Sequence, residues 1–420
     1  MTEKRKYIIL LGDGMADRPM GELGGKTPLE VADTPNMDRM AGDGVVGLAR
    51  TIPEGMALGS DVANLSVLGY DPAVVYTGRS PIEAAGMGVD LGPDDVAFRC
   101  NLVTLGLPGE DGPDTALPHG DVDPRWIMVD FAGGHPNGSE AASILETLTE
   151  NLAGDGIEFH PGVSYRHLVV WRNGLDSLEI APPHDLTDQP VGTGWPRGEA
   201  ADMVLDLMKR SVRVLPENRV NRARVRSGEN PVNAIWLWGQ GKRPHIAPFR
   251  ERYGLDGAMI TAVDLLRGLG VSIGFCVVKV PGATGYLDTD YAGKASAALS
   301  AMDKVDLVYL HVEAPDEASH DGSLENKLRA LEDFDAMVVG PVLEGMESRG
   351  KPFSALVMPD HATPLAIKTH SGEPVPFAVL ASENAGNGSG LNFSERSAQS
   401  TGLILDRGHE LMGRFIAGKL

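Results

Sequence analysis

The sequence predicts an α/β protein in two parts: a mostly parallel sheet flanked by helices, and a smaller inserted α/β or α+β domain. Three observations carry this prediction. Beyond Tyr253, apolar runs of strand length alternate with helix-patterned segments, as βαβ units do. Several of these runs stop abruptly at Asp or His, and in open α/β sheets ligands gather at the carboxyl ends of strands. Such endings occur at both ends of the chain while the middle differs in texture. One discontinuous domain is therefore expected over residues 1–90 and 255–420, with 91–254 inserted.

At 420 residues the chain is long for a single core, and its 42% hydrophobic content suffices for two domains. Its 37 Lys and Arg stand against 58 Asp and Glu, a formal charge of -21. That balance argues against nucleic acid or an anionic membrane as partner, because both are held by clustered cations. It leaves room for a small phosphorylated substrate gripped by a few local cations. Cys100 and Cys276 are too few for a disulfide framework and read as buried filler, which fits a reducing cytoplasm. The first apolar run, residues 7–11, is much shorter than a signal-peptide core. No apolar run reaches membrane-spanning length, so neither export nor a membrane span is expected.

Residues 7–11, followed by Gly12-Asp13-Gly14, read as a buried strand ending in a glycine-flanked aspartate. Gly24-Gly25-Lys26-Thr27 resembles the end of a phosphate-binding loop. The pattern needs a glycine where Met20 stands and a helix where Pro28 follows, so that reading is rejected. Thr34-Pro35-Asn36-Met37-Asp38 is a helix start, with Met37, Met40 and Ala41 at helical spacing. Ser60 stands just before an apolar-periodic segment, residues 61–68. Its ordinary role there is an N-cap, accepting a backbone N–H. Its chemical role is a nucleophile whose phosphate the helix N-terminus stabilises and whose hydroxyl a metal acidifies.

In the middle region, residues 97–103, 167–171 and 234–238 are strand-like, 140–152 and 199–212 are helical, and 106–123 form a Gly/Pro/Asp-rich loop. Arg166, Arg213, Arg219, Arg222, Arg224, Arg226, Lys242 and Arg243 concentrate positive charge here. They make either a solvated basic face or an anion pocket. Further on, residues 258–262, 274–280, 305–312, 353–358 and 377–380 are strand candidates. Residues 263–269, 294–302, 324–343 and 408–417 are helix candidates.

The chemistry lies where these strands end. The run over 305–312 delivers Asp316 and His320 as Asp-x-x-x-His, the run from Phe353 delivers Asp360 and His361, and His370 follows. Carboxylates and imidazoles without thiolates are the mixture a two-metal site needs. Asp316, His320 and His370 can make one site; Asp13, Asp360, His361 and the Ser60 oxygen can make a second. Two cations about 3.5 to 4 Å apart clamp the attacking and leaving oxygens of an in-line phosphoryl transfer.

Gly12-Asp13-Gly14, Thr34-Pro35-Asn36-Met37-Asp38, Asp316-x-x-x-His320, Asp360-His361 and His370 together resemble the alkaline phosphatase superfamily. The stretch from Gly59-Ser60-Asp61 to Tyr70-Asp71-Pro72 resembles, more narrowly, the cofactor-independent phosphoglycerate mutases of the archaeal type. So do Tyr76-Thr77-Gly78-Arg79, Phe98-Arg99-Cys100-Asn101 and Val280-Pro281-Gly282-Ala283-Thr284-Gly285. The resemblance implies an alkaline-phosphatase-like domain holding two divalent cations, commonly Mn2+ with Mg2+, Zn2+ or Co2+ as other candidates. It implies an inserted substrate-binding domain and no requirement for 2,3-bisphosphoglycerate or a nucleotide. Ser60 matches the family's phosphorylated serine, and Arg99, Asn101, Arg166 and Arg224 are the candidates for contacts to a small phosphorylated hydroxy acid. Ala314-Pro315, Trp236-Leu237-Trp238-Gly239 and Gly285-Tyr286-Leu287-Asp288 resemble a bacterial subgroup proposed to phosphorylate homoserine. A related phosphotransferase or phosphatase is thus the alternative activity. The resemblance is compatible with a homo-oligomer.

Overall fold

The computed structural model describes residues 4–109, 115, 122–383 and 388–420. It separates into two compact units, one made of Met1–Tyr76 with His245–Leu420 and the other of Thr77–Pro244. No helix among the described residues is long and apolar enough to cross a membrane.

The first unit is built on an eight-stranded sheet. In spatial order its strands are Cys276–Val278, Gly257–Ile260, Leu307–Val312, Lys6–Gly12, Phe353–Met358, Val375–Ala381, Val45–Ala49 and Ile404–Leu405. The first five are parallel to one another, Val375–Ala381 is antiparallel to both neighbours, and Ile404–Leu405 is parallel to Val45–Ala49. The mostly parallel sheet read from the sequence is therefore present. Strands covered on both faces read as unbroken apolar runs rather than alternating ones, and every residue of Leu307–Val312 and Phe353–Met358 is buried. Helices Tyr291–Met302, Leu324–Phe334, Gly340–Ser348 and Pro35–Asp43 supply Ala298, Phe334, Leu343 and Met37 to the core cluster that also holds Ile8, Leu10, Val308, Leu310 and Val357.

Register decides the function of this sheet. Lys6–Gly12 lies between Leu307–Val312 and Phe353–Met358, with Leu11 level with His311 on one side and Met358 on the other. All three strands thus end at one edge of the layer, and the residues that follow them emerge side by side.

The segment 324–343, which reads as one helix, is two helices joined by a π turn over Asp335–Val339. Pro341 has no N–H to continue the ladder, and its ring crowds the carbonyl one turn back. The displaced turn brings the buried Asp335 carboxylate to the start of Pro35–Asp43, where it accepts from Met37 N at 2.7 Å and Asn36 N at 3.1 Å. It caps the helix that Thr34, whose side chain makes no cap hydrogen bond, leaves open. The rejected phosphate loop is a turn, and Thr27 instead caps the short helical turn Pro28–Glu30 in a reciprocal capping box with Glu30.

Every pair of strands described in the second unit is antiparallel, so it is of the α+β kind. Val96–Gly106 pairs with Ala234–Lys242, Arg166–Trp171 and Ile127–Asp130, and Ile157–Val163 joins beyond Arg166–Trp171. Helices Gly138–Leu152 and Ala201–Val214 cover one face, packing Ile144, Leu148, Val204 and Leu207 with Phe98, Cys100 and Val169. Ile157–Val163 was not legible because Pro161-Gly162 interrupts the pattern at a bulge. The loop over 106–123 lies largely outside the described residues.

The units divide at 76/77 and 244/245 rather than at 90/91 and 254/255. Helix Arg79–Met87 packs Ala84 on Ala97, Leu168 and Val170, and Ser80 Oγ donates to Gly239 O at 2.6 Å, which ties 77–90 to the second sheet. Phe249 meets Phe275 edge-to-face at 4.9 Å and Tyr253 OH donates to Gly69 O at 3.1 Å, which ties 245–254 to the first unit.

Replacing Asp335 by Ala leaves two helix-terminal N–H groups uncapped inside the fold. Asp335→Ala should cost about 2 kcal/mol in denaturant unfolding. An unchanged midpoint would show that the π turn has no capping role.

Candidate active site

Ligand-type side chains converge at that edge of the first unit. Asp13 follows Lys6–Gly12 directly and is held by Asp13 N donating to Val312 O at 2.9 Å. Glu313 and Asp316 follow Leu307–Val312, the latter in the first turn of helix Ala314–Asp321 with His320 one turn on. Asp360 and His361 follow Phe353–Met358.

Asp316 Oδ2 lies 3.1 Å from His320 Nε2 and 3.7 Å from His370 Nε2, and the two Nε2 atoms are 3.1 Å apart. Each ring has its other nitrogen against a backbone carbonyl, His320 Nδ1 at 2.9 Å from Lys368 O and His370 Nδ1 at 3.0 Å from Leu58 O. A carbonyl only accepts, so each Nδ1 carries a proton and the two Nε2 atoms are left to meet each other and a carboxylate. Only a proton or a cation satisfies such a meeting. Burial opposes ionisation of Asp316, yet its hydrogen bonds to His320 and His370 outweigh that and hold its carboxyl well below the usual range. Asp316 in turn pulls His320 up to about 9.

The second group is deeper. Asp13, Asp360 and His361 have essentially no exposed surface, and their ligand atoms come within 4.8 Å of one another. His361 Nε2 is 3.4 Å from Asp13 Oδ1, 3.5 Å from Asp360 Oδ2 and 3.2 Å from Ser60 Oγ. Among the described residues, the buried Asp13 Oδ1 has no hydrogen-bond partner. Burial first, then the carboxylates of Asp360, Glu313 and Asp316, drive the Asp13 pKa well above the carboxylate range. Carboxylates crowded together out of water repel, and a dication relieves both costs. The donor set fits divalent cations in both groups.

Other side chains fix these ligands. Thr363 Oγ1 donates to Asp316 Oδ1 at 2.5 Å and lies 3.1 Å from His361 Nδ1, so one hydroxyl joins the two groups. Asn64 Nδ2 donates to Asp360 Oδ2 at 2.7 Å and to Ser60 O at 2.8 Å. Ser60 is the first residue of helix Ser60–Val67, with Gly59 at the cap position, so its hydroxyl caps nothing and turns towards His361. Gly14, at φ +60, must be glycine: a Cβ there would stand 2.5 Å from Asp316 Oδ1 and 2.7 Å from Thr363 Oγ1.

The edge also holds residues that the sequence reading missed. His311 Nε2 lies 2.8 Å from Asp13 Oδ2 and 3.6 Å from Glu313 Oε2, and Asp13, His311 and Glu313 form a third cluster of ligand type. Burial, with Asp316, Glu317 and Asp360 nearby, pushes Glu313 up to about 8. A histidine inside an otherwise apolar strand was the available signal.

In the second unit, Arg99 pairs with Glu83 through Nε at 3.0 Å and stacks 4.6 Å from the centre of the Trp238 ring. Asn101 accepts from Trp238 Nε1 at 3.0 Å and donates to Phe131 O at 3.1 Å, while Arg166 lies over Tyr165. The His184 ring meets Trp238 edge-on at 5.4 Å, a neighbour no sequence pattern announced. Arg224 departs from its expected role. It is buried, and its guanidinium bonds Asn230 O, Gly133 O, Gly134 O and Glu140, so it holds that unit's loops together.

Comparison with known proteins bears on the whole chain. The family model for 2,3-bisphosphoglycerate-independent phosphoglycerate mutase matches residues 41–221. A curated relative from Geobacter sulfurreducens, named probable 2,3-bisphosphoglycerate-independent phosphoglycerate mutase, is 52% identical over 407 residues, covering 97% of this chain and 98% of the relative. The chain belongs to this family. A Methanosarcina barkeri member named 2,3-bisphosphoglycerate-independent phosphoglycerate mutase is 49% identical over 99% of this chain and 100% of its own. Among solved structures, the cofactor-independent phosphoglycerate mutase of Thermoplasma acidophilum is 26% identical with a TM-score of 0.65, covering 99% of this chain and 100% of that one. The PH0037 protein of Pyrococcus horikoshii is 28% identical with a TM-score of 0.78, covering 99% and 98%. The family's fold is thus this chain's fold.

Adding a divalent cation to metal-stripped protein should raise its Tm by several degrees, since the cation binds the folded state alone. Gly14→Ala should remove most of that gain by displacing Asp316 or Thr363. Identical gains for both proteins in a thermal melt would contradict the site.

Proposed function

We propose that the protein interconverts 3-phosphoglycerate and 2-phosphoglycerate through a phosphoserine at Ser60. One divalent cation is held by Asp316, His320 and His370, and a second by Asp13, Asp360, His361 and Ser60, with Mn2+ the first candidate. The observation that carries this reading is Ser60 Oγ at 3.2 Å from His361 Nε2, a hydroxyl aimed into a buried ligand cluster from the first residue of a helix. The names borne by relatives similar over nearly the whole chain support the activity.

When bound, the cations lower the pKa of the serine hydroxyl and neutralise charge on the transferring phosphoryl group. The chain's own residues do the rest. Ser60 Oγ gives up its proton and forms a bond to phosphorus as the bond to the substrate's 3-oxygen breaks, and that oxygen leaves as a hydroxyl by taking up a proton. The start of helix Ser60–Val67 favours the negative charge that the serine then carries. Asn64 ties Ser60 O to Asp360, keeping the nucleophile in register with its ligand cluster. Glycerate stays bound and turns, its 2-oxygen takes the phosphoryl group, and Ser60 is regenerated.

Water must be kept from the phosphoserine, because hydrolysis there would release free phosphate. Arg99, Asn101 and Arg166 are the second unit's candidates for the substrate's carboxylate and phosphate. A cytoplasmic protein acting on a small metabolite, alone or as a homo-oligomer, accords with this reading.

Incubated with 3-phosphoglycerate and a manganese salt, the protein should form 2-phosphoglycerate with little free phosphate, and mass spectrometry should find phosphate on Ser60. Ser60→Ala should abolish turnover while leaving most cation binding in place, since Asp13, Asp360 and His361 remain. Retained turnover would remove Ser60 from the reaction, and phosphate as the main product would make the protein a phosphatase.

A further inference from the structure

The segments that carry the inner ligands are stitched together just beyond them. Isolated bridges link Met15 and Ala16 to Ala362, and Ala362 to Ser371. Thr363 N donates to Ala16 O at 3.1 Å, and Ser371 N to Ala362 O at 2.9 Å. The backbone after Asp13, the backbone after His361 and the backbone after His370 thus form a small ladder.

A lysine with no exposed surface closes this ladder. Lys327, from helix Leu324–Phe334, donates through Nζ to Asp17 Oδ2 at 2.8 Å, to Thr363 O at 3.0 Å and to Ala16 O at 3.4 Å. Asp17 Oδ2 also accepts from Leu365 N at 3.1 Å, and Asp17 N donates to Glu395 Oε1 at 2.9 Å. The ammonium therefore reaches a carbonyl on each of two ligand-bearing segments together with the carboxylate they share. A buried ion pair adds little to stability compared with apolar residues of the same size, and registry is its best-attested use.

We propose that Lys327 is a positioning residue for the metal ligands: its ammonium sets the spacing between the segment after Asp13 and the segment after His361. The ligand atoms then meet cations at a fixed geometry, although none of the hydrogen bonds of Nζ described above goes to a ligand side chain. The inference rests on the two-cation reading and concerns how the chain prepares for it.

Calorimetric titration of the metal-free full chain with Mn2+ tests this in three proteins. The wild type should bind. Lys327→Met should bind Mn2+ about tenfold or more weakly, the range seen when a supporting partner of a ligand is lost. That variant leaves the Asp17 charge buried alone, so the double variant Lys327→Met with Asp17→Asn removes both charges, keeps an acceptor for Leu365 N and should recover the melting temperature. If the pair sets registry, Mn2+ affinity stays weak in the double variant although stability returns. A double variant that melts and binds like the wild type would overturn the inference, because the pair would then be packing only. If the wild type itself binds no Mn2+, the two-cation reading fails first and the inference falls with it.

Discussion

Mutual repulsion at one edge of the first unit's sheet organises the rest of that unit. Asp13, Asp316 and Asp360 are buried with Glu313 beside them, and the Nε2 atoms of His320 and His370 crowd together against the Asp316 carboxylate. Burial and the neighbouring carboxylates disfavour the ionised forms of Asp13 and Glu313 in the protein alone and push both above the usual carboxylate range. The arrangement persists because a closely packed parallel sheet dictates where its strands end, and the helices behind it hold that register. The stability of the core is set against the strain of the site, and bound dications would relieve that strain.

The two ligand groups differ in their surroundings, and the difference has chemical consequences. The Asp13, Asp360 and His361 group is sealed from solvent, whereas His320 is about one-third exposed, at 34% of its side chain. The inner group stands against Ser60 and the outer one reaches the surface, so in the proposed reaction the first would serve the serine and the second would be open to a substrate's oxygens. Thr363 joins them through a single hydroxyl, which couples the geometry of one group to that of the other.

Much of this was legible in the sequence, for a simple reason. A strand buried on both faces is an unbroken apolar run, so an Asp or His at its end stands out. Asp13, Asp316, Asp360 and His361 were all read that way, and His320 and His370 by their spacing from them. His311 and Glu313 escaped because a single histidine within an apolar run is the pattern of a satisfied core residue. The interrupted helix over 324–348 escaped because periodicity continues through a π turn, and only Pro341 hinted at a break. Arg224 was misread as facing a ligand because charge clustering along the chain does not say which guanidinium is buried against carbonyls. The unit boundaries moved because helix Arg79–Met87 has an apolar face that suits either sheet, and only packing decides.

The central claim is that separate parts of the chain bring two dications against one serine oxygen. Diffraction from Mn2+-soaked crystals, recorded at the manganese absorption edge, tests it most directly. The account predicts two anomalous peaks, one among Asp316, His320 and His370 and one among Asp13, Asp360 and His361 with Ser60 Oγ as a further ligand. A single peak elsewhere, or none at either group, would contradict it.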